Sequence, residues 1–188
     1  MRIEMDGLTI RNATAMDAAQ LAAWWNDGAV MAHAGFPLGL HTSAEEVVAK
    51  LATDSDDTTR RHIIEQGGRP IGEMNYRNQG GGLAEIGIKI CDATAQNKGI
   101  GTLLLTAFVD ALYRHMGYEV IDIDTNLKNT RAQKVYEQKL GFRRVGVKEN
   151  SWQDQLGVWQ SAVFFQLTKA EWIAKHPVVD YRFALLPA

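Results

Sequence analysis

The chain has 188 residues, 46% hydrophobic and 22% charged, with a formal net charge of −2. That length can bury a core for one domain, and that balance is the ordinary one for a soluble globular protein. The near-neutral charge excludes a general pull toward nucleic acid, the lone Cys91 excludes an internal disulfide and a cysteine-based zinc site, and no apolar run approaches the roughly 20 residues that cross a bilayer.

Residues 1–6 lack an apolar signal core, so a cytoplasmic protein without membrane attachment is expected. Residues 8–11 read as a first strand. Thr14 can cap a helix with Ala18, Leu21, Ala22 and Trp25 at helical spacing, ended by Asn26-Asp27-Gly28. Residues 28–42, with Gly35, Pro37 and Gly39, predict an irregular connection. Thr42 and Glu45 stand in capping-box spacing and open a second helix that ends near Ala52. Residues 62–65 and 70–76 predict a hairpin around a glycine turn, and residues 83–90 a further antiparallel strand.

The next stretch organises the rest. Gln96-Asn97-Lys98-Gly99-Ile100-Gly101-Thr102 has the form Q-x-x-G-x-G and opens a long helix. Ile100, Leu104, Phe108 and Leu112 form its apolar stripe, with Leu105, Val109 and Met116 beside it. Thr102, Thr106, Asp110 and Arg114 form the expected wet face, with Asp110 and Arg114 as an i,i+4 pair. Strand, glycine turn, then helix N-terminus is an arrangement that holds phosphate, because the first helical N–H groups lack internal partners and the helix dipole favours negative charge. Gly99 and Gly101 allow close backbone approach, and Lys98 adds positive charge at the mouth. The rival reading is a plain turn before a helix. Neither the dinucleotide fingerprint nor the P-loop pattern is present.

Gly117 stops that helix. Residues 119–125 predict a strand parallel to 83–90 through a right-handed crossover, and residues 129–140 a helix closed by Gly141. Residues 142–147 and 158–167 complete the strands, joined by a loop over 149–157. Residues 1–168 read as one domain. The extension 169–188 carries Trp172, Pro177, Tyr181, Phe183, Leu185 and Leu186, and is expected to pack on the domain or on a second subunit in a homodimer.

About thirty residues beyond the glycine turn comes Asn129-Thr130-Arg131-Ala132-Gln133-Lys134-Val135-Tyr136, then Leu140-Gly141-Phe142. With Gln96 to Gly101, this resembles the GNAT superfamily of acyl-CoA-dependent N-acyltransferases, with a flavour of the ribosomal-protein and aminoglycoside N-acetyltransferase branches. The resemblance spans about residues 8–167. It implies an α/β (α+β) fold: a mixed sheet of about six to seven strands, an antiparallel N-terminal half, a splayed central parallel pair and helices on both faces. It also implies acetyl-CoA as cosubstrate and transfer of its acetyl group to a primary amine, by direct attack in a ternary complex.

Acyl transfer from a thioester to an amine needs phosphate anchoring, deprotonation of the amine, donors for the oxyanion and a proton for the thiolate. By the resemblance, the backbone of residues 96–101 anchors the carrier with Lys98 and Thr102 beside it, and N–H groups around Ile88, Lys89 and Ile90 hold the pantetheine and thioester carbonyl. Asn129 contacts the carrier in the family, and a plain N-cap is its rival reading. Tyr136 is the candidate to protonate the thiolate, against a rival reading as a core aromatic. Asp124 is the first candidate base, Glu85 the second and Glu73 the third, with a water chain as the other option. Asp122 and Asp124 share a strand face and are expected to raise one another's pKa, unless Asp122 and Glu119 are simply solvated. Cys91 lacks a paired base for a covalent route, and His33, His41, His62, His115 and His176 lack metal-ligand spacing, so no metal is expected.

The acceptor is the least legible part. The resemblance assigns its groove to residues 26–41 and 149–157, which with Trp24 and Trp25 bring Asp27, His33, Phe36, Glu149, Trp152 and Asp154. Aromatic walls with carboxylates suit a cationic amine. A small polyamine, an aminoglycoside-like amine and a protein N-terminus all remain open, as does a module that binds acyl-CoA as a sensor without turnover.

Overall fold

The computed structural model describes residues 1–185, and Leu186 of the apolar tail lies outside the described residues. Nine strands form one sheet: β1 Arg2–Met5, β2 Leu8–Asn12, β3 Thr59–Gln66, β4 Arg69–Gly80, β5 Leu83–Ile90, β6 Val120–Asn126, β7 Arg143–Gln153, β8 Trp159–Thr168 and β9 Arg182–Ala184. Their order is β7-β8-β6-β5-β4-β3-β2-β1-β9. Among the described residues only β5 and β6 run parallel, as the strand–helix–strand pattern predicts.

The two strands beyond the expected count come from the ends of the chain. Asp6-Gly7 is a two-residue turn with positive φ at both positions, which closes a hairpin between β1 and β2. β9 contributes only three residues on the outer edge of β1, too short to leave a periodicity.

Adjacent residues of β3 point to opposite faces and divide the core in two. Ile64 joins the cluster under α4 (Ile100–Arg114), with Leu104, Phe108 and Leu112. Ile63 joins the cluster under α1 (Ala18–Asn26) and α3 (Ala44–Leu51), with Leu21, Trp25 and Val47. The connection between those helices contains a single turn of helix, α2 (Gly28–Met31), started by Asp27, whose side chain accepts from the Ala29 N–H at 2.8 Å.

Three further expectations shift. The α3 box is built by Ser43 and Glu46 instead of Thr42 and Glu45, because the Thr42 backbone is held by the Asn26 side chain at 2.8 Å on both sides. The helix after Asn129 runs as α5 (Thr130–Lys134) and then widens into a π-helical stretch, Val135–Leu140. Strand β7 continues to Gln153, so the expected loop over 149–157 is mostly strand.

Asp110 is a clearer correction. Sequence spacing puts it on the wet face of α4, yet it is 1% exposed. The C-terminal segment covers it: α6 (Lys169–Lys175) brings Trp172 Nε1 to 2.8 Å, Tyr181 OH donates at 2.8 Å, and Arg114 Nε at 2.8 Å. Helical periodicity describes a face and cannot show what later folds over it. Among the described residues, no helix is long and apolar enough to cross a membrane.

Candidate active site

Strands β5 and β6 pair only at Leu83–Val120, Ala84–Ile121 and Glu85–Asp122. Beyond that, β5 stays on β4 up to Ile90 while β6 stays on β8 up to Asn126. Each strand keeps its outer neighbour, so the two part. The backbone edge of β5 over residues 86–90 then faces a cleft of about 800 Å³, with Asp124, Thr125 and Asn126 of β6 across from it. An open strand edge supplies main-chain donors and acceptors without any special side chain.

The phosphate-loop candidate closes one end of this cleft. A short 3-10 turn, Ala93–Ala95, follows β5, and Gln96 Nε2 donates to the Ile90 carbonyl at 2.8 Å, tying loop to strand end. Asn97 and Gly99 both take left-handed backbone conformations, with Gly99 at φ +78 as the N-cap of α4. That geometry turns the start of the helix toward the cleft, and Gly99 accepts it without strain. Among the described residues the amides of Asn97 to Gly101 have no backbone partner. A Cβ placed on Gly101 would meet nothing within 4 Å, so the space there is open to a ligand. Free amides at the start of a 15-residue helix fit a phosphate. Gln96, Asn97, Gly99, Ile100, Gly101 and Thr102 line the cleft, as do Ile88, Lys89 and Ile90, whereas Lys98 is exposed and outside it.

Asn129 caps α5, its Oδ1 accepting from the Ala132 N–H at 3.2 Å, while its Nδ2 donates to Thr125 Oγ1 at 3.1 Å. It also lines the cleft, so the cap leaves it on the cleft wall. The Tyr136 ring is buried against Phe165 and Phe142, with centroids at 5.5 and 6.3 Å. Tyr136 lines the cleft, and its hydroxyl makes no side-chain hydrogen bond among the described residues. Burial pushes the phenol pKa up, and the negative charge of Asp124 adds to it. A phenol held protonated in this way stands as a hydrogen-bond donor to negative charge that develops beside it, and its raised pKa makes full release of the proton harder.

Asp124 opens on the same cleft. It is exposed to the cleft, yet partial desolvation by the cleft walls raises its carboxyl above the usual range, the Glu85 carboxylate raises it further, and Arg77 pulls the other way. The like charge is therefore Glu85 and not the expected Asp122, which is engaged by Gln166 Nε2 at 3.0 Å. Glu85 itself accepts from Arg77 at 2.7 Å and from Gln79 at 3.0 Å. Glu73 is buried and accepts from Trp25 Nε1 at 3.0 Å and from Lys89 Nζ at 2.6 Å. Those bonds take up lone pairs that a base would need, and among the described residues Asp124 is the one of the three without a side-chain partner.

A second hollow of about 460 Å³ adjoins the first on the side of Asp124. Arg77, Glu85, Asp122, Asp124, Trp152 and Phe164 line it. Of the expected acceptor residues, His33 and Trp152 line the cleft. Trp25 is instead buried on Glu73, and Asp154 turns into its own loop, accepting from the Leu156 and Val158 amides at 2.9 and 3.0 Å. Cys91 is buried and its thiol is pushed up to about 12, so it stays protonated and inert.

Arg77 went unnoticed in the sequence. Glu73, Asn75 and Arg77 alternate along β4 and all line the cleft, a polar period of two that was available as a signal.

With this geometry in hand, comparison with known proteins is informative. A family model described as "Acetyltransferase (GNAT) domain" matches residues 7–143. The aminoglycoside N(6')-acetyltransferase type 1 of Klebsiella pneumoniae is 28% identical over 154 residues, covering 75% of this chain and 76% of that protein. Among solved structures, spermidine N-acetyltransferase from Vibrio cholerae in complex with CoA and spermine superposes with a TM-score of 0.77 at 21% identity, covering 89% of this chain and 98% of that one. The yncA acetyltransferase from Salmonella typhimurium with acetyl-CoA gives a TM-score of 0.71 at 20% identity, covering 93% and 99%. At those identities the structural likeness speaks to the fold.

Proposed function

The chain belongs to the GNAT acetyltransferase family, and from that premise we propose that it moves an acetyl group from acetyl-CoA to a primary amine by direct attack in a ternary complex. The observation that carries this reading is the meeting of Asp124, Tyr136 and the open edge of β5 on one cleft that ends at free helix-start amides.

Acetyl-CoA, when bound, supplies an acyl group already activated as a thioester. The amides of Asn97 to Gly101 hold its pyrophosphate, and the open edge around Ile88 to Ile90 holds the pantetheine and offers donors where negative charge develops. Asp124, with its raised basicity, takes the proton of the acceptor ammonium. Glu85, held in place by Arg77, raises Asp124 through its like charge, and Arg77 opposes it. Tyr136 hands its proton to the departing sulfur, from a hydroxyl that makes no side-chain hydrogen bond among the described residues.

The acceptor hollow favours a small polycationic amine over a protein N-terminus. It sets three carboxylates, one of them paired with Arg77, against Trp152 and Phe164, and the net negative wall suits more than one ammonium group. The aminoglycoside and spermidine acetyltransferases act on amines of that class by their names, which supports the same reading.

The test combines calorimetry with coenzyme A and thiol release from acetyl-CoA across polyamines, aminoglycosides and N-terminal peptides. Binding together with thiol release for polycations is the expected result. Binding with no release for any amine would make the protein a sensor, and no binding at all would end the acetyltransferase reading.

A further inference from the structure

The two walls of the acceptor side come from opposite ends of the chain, and one side chain joins them. The first wall is the segment after α2, where His33 and Ala34 line the cleft. The second is the β7–β8 hairpin, where Trp152 lines both hollows. Gln155, at the hairpin tip, accepts from the Leu38 N–H through Oε1 at 2.9 Å and donates through Nε2 to the Gly39 carbonyl at 2.7 Å. Its own N–H donates to the Gly35 carbonyl at 3.0 Å. All three bonds cross between segments more than a hundred residues apart in sequence.

The surroundings are shaped for that junction. Gly35 sits at φ +92, and a Cβ on it would lie 2.9 Å from Trp152 Nε1. Asp154 organises the hairpin tip from the other side, taking the Leu156 and Val158 amides and Gln160 Nε2 at 2.8 Å. Gln155 is therefore presented by a pre-built turn, and its primary amide matches one donor and one acceptor of the facing backbone.

We propose that Gln155 is a positioning residue for the amine acceptor: it bolts the hairpin to the segment after α2, so that Trp152 and His33 form one fixed roof over Asp124. The inference rests on the acetyltransferase reading and adds what fixes the acceptor. None of the Gln155 hydrogen bonds reaches the phosphate loop or the β5 edge, so the main-chain grip proposed for the carrier lies apart from it. Freeing the two walls loosens the acceptor wall only.

The experiment compares wild type with Gln155→Ala and Gln155→Glu, in steady-state kinetics and amide hydrogen exchange. Gln155→Ala is expected to raise the KM for the acceptor about tenfold, with the acetyl-CoA KM held within about twofold. The Leu38 amide should lose protection in the same variant while the amides of α4 keep theirs. Gln155→Glu keeps the bond to Leu38 but sets a carboxylate oxygen against the Gly39 carbonyl, so it should fall between the two. An acceptor KM unchanged in Gln155→Ala, or equal losses for both substrates, overturns the proposal while leaving the acetyltransferase reading intact. Should Gln155→Ala fail to fold, Gln155→Glu carries the same comparison, and an unchanged acceptor KM there overturns it as well. Absence of turnover in wild type with every amine would instead sink the acetyltransferase reading, and this proposal with it.

Discussion

Tyr136→Phe removes one oxygen and nothing else. The ring keeps its contacts with Phe165 and Phe142, and the lost hydroxyl makes no side-chain hydrogen bond among the described residues. No buried group is orphaned, so the change in folding stability should stay within about 0.5 kcal/mol. Catalysis should respond very differently. A positioned proton donor contributes about a hundredfold to ten-thousandfold, which is about 3–5 kcal/mol of barrier. The carrier is held by main-chain amides elsewhere, so acetyl-CoA affinity should hold within about twofold. Urea unfolding gives the stability, calorimetry the affinity, and thiol release under saturating substrates the turnover. Loss of stability and affinity together with activity would make Tyr136 a core aromatic. A kcat within about threefold of wild type would refute the argument outright.

The remaining predictions concern titration and the covered helix face. Because the Asp124 carboxyl is held above its usual range, kcat/KM should rise with pH along an acid limb that lies above the ordinary carboxylate value. Asp124→Asn should lower activity and abolish that limb, and a limb that survives the substitution assigns the base elsewhere. Asp110→Ala should destabilise by about 2–4 kcal/mol in urea unfolding, since it strands the buried Trp172 Nε1 and removes the partner of Tyr181 OH, while the exposed Arg114 keeps the His176 and Pro177 carbonyls. A loss under about 1 kcal/mol would mean that the C-terminal segment is held by apolar contact alone. His62 is fully enclosed beside Tyr76 and Phe108, and burial pushes its imidazole down to about 3. Its unfolded value is about 6.5, so between those values the unfolded chain binds the extra proton. Stability should therefore fall as pH drops through that window, by at most about 1.4 kcal/mol per pH unit from this group, and should not depend on it above. His62→Phe should flatten that slope, and an unchanged slope assigns it to other groups.

How much of this could be read beforehand depends on distance along the chain. The Q-x-x-G-x-G turn, the strand before it and the apolar stripe of α4 are local features, and their sequence signals were strong. Asn129 and Tyr136 were legible because one short helix carries both. Everything that depends on chain segments meeting was hidden. Asp110 reads as solvated until Trp172 and Tyr181 arrive from more than sixty residues away. Asp124 takes its like-charged neighbour from β5 rather than from its own strand, because the position of Glu85 across the seam is set by pairing. Gln155 carries no motif at all. A lone glutamine in a polar turn means nothing until the backbone it grips is known.

The seam between β5 and β6 has one more consequence. Three residue pairs are all that ties the antiparallel half of the sheet to the other half by direct strand pairing. A guest lying in the gap would supply the missing rungs, so it would serve as mortar as well as cargo. Rigidity along that line would then rise with loading, as one variable.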